Sequence, residues 1–257
     1  MAAGPFQLFL QPEARAGLDL GAAAAVAVRR LRRTPGACTL AVSPDLAFAP
    51  PRIPWPGAGV AVHAVASDVI ERAVIVHARM PPIVAVLALA VFPRDGRAAP
   101  IFAHDLVLSP GGLSSYCDVL SSRLGEDDWK ARFATPLAAV QSGAFPRRTG
   151  GRDELRLEAA PDWLRPLTAD VGGRAKGRLR DAPRASSYAL EMLDQYLDTL
   201  VDAPETDTGA SRADRETFAR AMRDNGPAVK RLTRLVGRKA AERIGTLVRG
   251  EPTADLG

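Results

Sequence analysis

The 257-residue chain, 47% hydrophobic and 25% charged, is long enough to bury a sizeable core as one large domain or two small ones. Its formal charge of +5, from 34 basic and 29 acidic side chains, suits an acidic partner or an anionic substrate and is too small to imply nucleic acid. Two cysteines, Cys38 and Cys117, with no CxxC pair and no Cys/His cluster, speak against a zinc or iron–sulfur site and suit a reducing compartment.

Residues 12–33 read as one helix, opened by Pro12 and stopped by Thr34-Pro35-Gly36. Its apolar run, 22–28, is too short to span a bilayer and leads into Arg29 and Arg30. The chain begins without a basic stretch, an apolar core and a cleavage site, so a soluble cytoplasmic protein without a membrane partner is expected. Arg29, Arg30, Arg32 and Arg33 read as a solvated helix end. Cys38–Val42 is a short strand candidate, and the proline-rich "FAPPRIPWPGAG" that follows cannot form a regular element.

Five β-rich runs come next: 60–65, 73–78, 83–92, 101–108 and 113–120. Their separators, such as "FPRDGRAAP" and "SPGG", are short and rich in Pro or Gly, which favours antiparallel meanders over parallel crossovers. Residues 122–182 read as long basic, glycine-rich surface loops; Asp127 and Asp128 within them read as solvated acids. The last third is helical. Ser186 or Ser187 can cap a helix that carries Leu190, Leu193, Leu197 and Leu200 on one face. Ser211 and Asp214 form a variant capping box for a second helix, which ends at Asn225-Gly226. Pro227 opens a third, interrupted at Gly237, with a frayed tail after Gly250. The expectation is an α+β fold in one domain, with its core over about 10–250 and a disordered tail over 251–257.

The stretch "APIFAHDLVLSPGG", 99–112, holds one carboxylate, Asp105, in an apolar run beside His104. Side chains alternate along a strand, so Ala103, Asp105 and Val107 share one face while Phe102, His104 and Leu106 share the other. The adjacent His and Asp are therefore not a dyad. Asp105 is either a satisfied structural acid or a group in a pocket, and His104 reads as packed under a helix. No GxSxG elbow, GxGxxG or P-loop occurs. With 5% aromatic residues and no basic aromatic face, nucleic-acid binding is not expected.

Residues 86–112, "VLALAVFPRDGRAAPIFAHDLVLSPGG", resemble the ferredoxin-dependent bilin reductases, most nearly the phycocyanobilin:ferredoxin oxidoreductase branch. Phe92-Pro93, Pro100-Ile101-Phe102, Asp105-Leu106-Val107 and Gly111-Gly112 match that family's motif without a gap. Residues 224–244 are similar to its last helices at Asn225, Leu232, Gly237 and Ala241. Together the two stretches span about a fifth of the chain.

The resemblance implies a three-layer α/β/α sandwich around a mostly antiparallel sheet, with a linear tetrapyrrole such as biliverdin held between the sheet and the C-terminal helices. It implies a monomer that takes single electrons from reduced ferredoxin and uses no flavin and no metal. Asp105 takes the place of the family's proton-donating aspartate. An apolar sheet face favours the protonated, uncharged form of such a carboxyl, which suits a donor. Val76 and Ala88 stand where the phycocyanobilin-forming branch carries a glutamate and a histidine, and Pro227 where it carries a basic residue. Val76, Ala88, Phe102 and Asn225 are thereby candidate pigment contacts. Arg147, Arg148 and Arg152, in a basic loop, are candidates to pair with propionates. With one acid and one amide, reduction of a methine bridge or a single double bond is expected. A tetrapyrrole carrier on the same fold, or a reductase of another conjugated substrate, are the alternatives.

Overall fold

The computed structural model describes residues 12–51, 57–80, 83–121, 130–144, 156–169, 171–205, 207–226 and 228–256. Helices α1 (Pro12–Ala16) and α2 (Leu20–Leu31) replace the single helix expected at the N-terminus. Gly17, at φ 62°, breaks it, and Asp19 restarts it by accepting hydrogen bonds from the Gly21 and Ala22 N–H groups. Arg30 is not simply solvated: it pairs with Asp194. The short strand β1 (Cys38–Leu40) stops before Val42, which bridges to Leu256 instead. Helix α3 (Pro44–Ala47) and strand β2 (Phe48–Ala49) follow.

The five β-rich runs become β3 (Gly59–Ala66), β4 (Ile70–Met80), β5 (Val84–Pro93), β6 (Ile101–Ser109) and β7 (Gly112–Leu120). They form the expected antiparallel meander. The region expected to be loop contributes more than loop. A π-helical turn, Lys130–Ala134, leads into α4 (Thr135–Ala144), and strands β8 (Arg156–Glu158) and β9 (Arg174–Gly177) extend the sheet. The order across it is β1-β3-β4-β5-β6-β7-β9-β8, with β2 also paired to β3. Close approach explains how glycine-rich sequence joins the sheet. A Cβ on Gly112 would lie 2.5 Å from the Gly177 carbonyl, and one on Gly172 would collide with that of Cys117.

Helix α5 (Ala182–Val201) starts before Ser186, with Pro183 in its first turn, so Ser186 is a buried residue inside the helix rather than its cap. Helix α6 (Thr208–Asn225) is capped by Asp207, not by the Ser211–Asp214 pair, and Asp214 instead accepts from Ser121. Helices α7 (Ala228–Val236) and α8 (Arg238–Val248) are separated by Gly237 at φ 89°. Pro227 lies outside the described residues. The tail is docked rather than disordered: Asp255 accepts from the Ser43 N–H at 2.9 Å and pairs with Arg243.

The helices divide between the two faces of the sheet, giving the three layers. One face carries Leu87, Leu89, Phe102, Leu106 and Leu108 and packs under α2 and α5 in the main core. On the other, Val60, Val62, Val74 and Val76 lie under Leu235, Ile244 and Leu247 of α7 and α8. At one end of this second face, Ala90, Phe92, Ile101 and Leu120 pack with Leu164, Leu167 and Phe218.

Candidate functional site

The site lies between those two coverings. Along β6 burial alternates: Phe102, His104, Leu106 and Leu108 are buried, whereas Ala103, Asp105, Val107 and Ser109 are half-buried. Strand β5 repeats the pattern with Val86 and Ala88, and β7 with Ser114 and Tyr116. The half-buried positions all belong to the face of the C-terminal helices. Among them Val86, Ala88, Ala103 and Val107 form an apolar patch of small side chains around the Asp105 carboxyl, flanked by Ser109, Ser114 and Tyr116.

Antiparallel register lines up one row across this patch. Val76 pairs with Ala88, Ala88 with Asp105, and Asp105 with Tyr116. Directly opposed side chains on one face stand about 4.5–5.5 Å apart at Cβ. The three positions that the resemblance singles out are therefore neighbours in one line. Val76, however, is 3% exposed and buried in the cluster under α7 and α8, which corrects the expectation of a pigment contact there; Ala88, half-buried, packs at the edge of the same cluster. Phe102 is also corrected. It is fully buried on the opposite face, with its ring 5.3 Å from that of Tyr196, and is a core residue. Strand alternation forbids it from sharing a surface with Asp105.

Asn225 ends α6 on the stripe that includes Phe218, Ala221 and Met222, one turn beyond the residues that pack on the sheet. Its side chain is exposed, and its amide donates to the Ala221 carbonyl at 3.3 Å. Arg147, Arg148, Arg152, Asp127 and Asp128 lie outside the described residues.

The histidines behave as their strand positions require. His104 is 6% exposed, and its Nδ1 lies 2.9 Å from the Tyr116 carbonyl, to which it donates. Burial pulls its pKa down to about 4, so the ring is neutral at physiological pH. His77 faces the α1–α2 layer, where Glu13 lies 3.7 Å from its Nε2. Burial also lowers the pKa of His63.

Three groups that sequence reasoning did not select join the site. Asp118 is fully buried; its Oδ1 accepts from the Val119 N–H at 2.8 Å and its Oδ2 accepts from the Thr168 hydroxyl. The Tyr116 hydroxyl in turn donates to Thr168 at 3.4 Å. The signal was present in "LSSYCDVL": period-two alternation from the β6–β7 turn puts Ser114, Tyr116 and Asp118 on the Asp105 face. Thr168 is 50 residues away from Asp118 and no local pattern announces it.

Among the described residues, no group of three or more His, Cys, Asp or Glu side chains could hold a metal ion. No described helix is long and apolar enough to cross a membrane. No protein-family model matches the sequence, and neither does any curated protein. Solved structures do match. One is phytochromobilin synthase from tomato, solved in complex with biliverdin; it superposes with a TM-score of 0.67, covering 90% of this chain and 83% of that one. The two share the fold. At 13% identity the likeness reaches no further than that.

Proposed function

We propose that the protein reduces a linear tetrapyrrole with single electrons from reduced ferredoxin, and that Asp105 supplies the protons. The observation that carries this reading is the half-buried apolar patch of Val86, Ala88, Ala103 and Val107 around one carboxyl. Small side chains on a flat sheet leave room for an extended conjugated molecule, whose apolar surface is stabilised there by roughly 25 cal/mol per Å² buried. The fold shared with a biliverdin complex supports the same class of ligand.

The chemistry follows from charge. An electron added to a bound tetrapyrrole gives a radical anion in a poorly solvated place. Transfer of the Asp105 proton leaves a neutral radical and a carboxylate. A second electron, with a second proton delivered after Asp105 is reprotonated from water, completes a two-electron, two-proton reduction. Ala88 can offer no proton, and Val76 is apolar and covered. With Asp105 as the donor in both steps, a methine bridge or a single double bond suits the site better than vinyl chemistry. Asn225 would hydrogen-bond the pigment or a bridging water, and Arg147, Arg148 and Arg152 would pair with its propionates. The chain would work in the cytoplasm as a monomer with no bound flavin or metal, and ferredoxin, being acidic, would dock on basic surface.

Anaerobic mixing with biliverdin, ferredoxin, a ferredoxin reductase and NADPH tests the reading. Loss of the long-wavelength absorption is expected. Binding with that absorption unchanged would instead favour a second reading, a tetrapyrrole carrier, for which the apolar residues Val76 and Ala88 are the motivating observation.

A further inference from the structure

We infer that the outer face of α7 and α8 is the docking surface for an acidic protein, the donor that hands single electrons to the pigment; this rests on the reading of the patch as a site of tetrapyrrole reduction.

The charge of the chain is concentrated on these two helices. Residues 228–248, which make up α7, Gly237 and α8, hold six Lys and Arg and one Glu, a formal +5. That equals the net charge of the whole chain, so all the other residues together balance to zero. Pairing then divides the cations. Arg243 is tied to Asp45 and Asp255, and Arg238 donates to Glu242 at 2.7 Å. Lys230, Arg234 and Lys239 are exposed, and among the described residues they have no ion-pair or hydrogen-bond partner.

Helical spacing keeps these cations away from the core. Lys230 and Arg234 stand four residues apart on one face of α7, opposite Leu232, Leu235 and Val236. The inward side chains of both helices lie in one cluster with Val86 and Ala88 of the patch. A protein seated on the outer face is thus separated from the patch by about one helix diameter, roughly 10–12 Å. Electrons cross such a gap by tunnelling through packed protein, so the donor need not touch the pigment.

The chemistry of the face selects among anionic partners. A helix that binds a membrane surface needs its apolar side for lipid. Helices α7 and α8 spend theirs on the sheet, and the exposed large hydrophobic residues, Phe48, Ile83 and Val201, lie elsewhere. Residues 228–248 include no aromatic side chain on which a nucleic-acid base could stack. A soluble acidic protein asks only for charge. Exposed cations steer such a partner in and, each contact being weak in water, let it go again. That suits a donor that must be exchanged between the two electrons of one reduction. Arg29, Arg32 and Arg33 at the end of α2 are exposed too, but α2 packs on the opposite face of the sheet, and these cations complement the carbonyl end of their own helix.

Steady-state reduction of biliverdin at varied ferredoxin concentration tests this on the full chain. Replacing Lys230, Arg234 and Lys239 together by Glu (K230E, R234E, K239E) should lower kcat/KM for ferredoxin about tenfold or more at low salt, within the range of electrostatic steering. The kcat at saturating ferredoxin, the biliverdin affinity and the melting temperature should stay near wild type. Rising salt should slow the wild type and close the gap. The same change in net charge at the end of α2 (R29E, R32E, R33E) should lower kcat/KM less than about twofold. If the first triple variant fails to fold, its Gln counterpart (K230Q, R234Q, K239Q) takes the same measurement, with a smaller loss in the same direction. An unchanged kcat/KM in the folded variant would overturn the inference. Equal losses in the α2 variant would overturn it as well, because net charge rather than this face would then be the cause. Loss of binding to anionic phospholipid vesicles or to duplex DNA, with ferredoxin kinetics unchanged, would give the face to another partner. Failure of the wild-type chain to reduce biliverdin with ferredoxin would bring down the proposed reduction and this partner with it, a result distinct from the others because it needs no variant.

Discussion

The two faces of β5, β6 and β7 are made of alternate residues of the same strands, yet they are built to opposite ends. The face under α2 and α5 carries Leu87, Leu89, Phe102, Leu106 and Leu108, large side chains that fill the space to the helices. The face toward the C-terminal helices carries Val86, Ala88, Ala103 and Val107 at the same depth along the strands, and these stay half-buried. Side-chain volume and covering both differ. Leucine and phenylalanine interdigitate with α2 and α5, whereas on the second face small side chains are fully buried only where α7 and α8 lie over them, as at Val60, Val62, Val74 and Val76. Neighbours in sequence are therefore strangers in role: His104 is a neutral ring sealed in the core, and Asp105 is a carboxyl on the patch.

The largest effect expected from that contrast is on turnover. Asp105→Asn keeps the size of the side chain and removes its proton, so biliverdin should still bind while reduction slows by about 10²–10⁴-fold, the usual worth of general acid catalysis. Stopped-flow absorbance with electron paramagnetic resonance should find the reaction stalled at a one-electron intermediate; full turnover by this variant removes Asp105 from the mechanism. Three residues earlier and on the sealed face, Phe102→Ala should do the reverse. It opens a cavity against Tyr196 and should cost about 3–5 kcal/mol in urea or guanidinium unfolding, with the pigment affinity of the folded fraction unchanged. If Phe102→Ala instead abolishes binding without loss of stability, the division between the faces is wrong.

His104 sharpens the same contrast by a smaller amount. Its folded pKa of about 4 lies below the ordinary 6.5, so the unfolded chain binds the proton more readily between those values. Stability is full above about pH 6.5 and falls as pH drops toward 4, by up to about 3 kcal/mol from this one group. His104→Gln, which can still donate to the Tyr116 carbonyl, should flatten that part of the stability–pH curve. An identical acid limb in both proteins would mean that the ring titrates normally and is not sealed.

Much of this contrast was legible in the sequence. Period-two alternation put Asp105 and His104 on different faces, and the short turn at "SPGG" fixed the β6–β7 register. What escaped was set by tertiary contacts. Nothing local in "DVGGRAKGRLR" announces a strand; the Arg174–Gly177 segment becomes one because Gly172 and Gly112 let the backbones approach. Phe102 carries the motif but not the exposure, since a matched residue type does not say which way its strand faces. The covering of Val76 depends on where α7 and α8 land, and the Asp118–Thr168 bond joins segments that no spacing rule connects.

The smallest effect concerns the part of the patch face that is covered. Arg243 of α8 pairs with Asp45 and Asp255, while the Ser43 N–H donates to the Asp255 carbonyl and Val42 bridges to Leu256. The tail thereby straps α8 to the segment before β2, at the β3–β4 end of the sheet and away from Asp105. Deleting residues 253–257 should lower the melting temperature by a few degrees. Hydrogen bonding to Arg243 holds the Asp255 carboxyl below the ordinary 3.8, so its contribution is present above that pH and fades as pH falls further; the gap between the two melting curves should narrow in acid. Biliverdin affinity should change less than about twofold, because the straps lie at the β3–β4 end of the sheet whereas Asp105 stands on β6, two strands further across. A large loss of affinity on deletion would mean that the covered and half-buried parts of this face act as one unit, and that the C-terminal helices must be held down before the patch can accept its ligand.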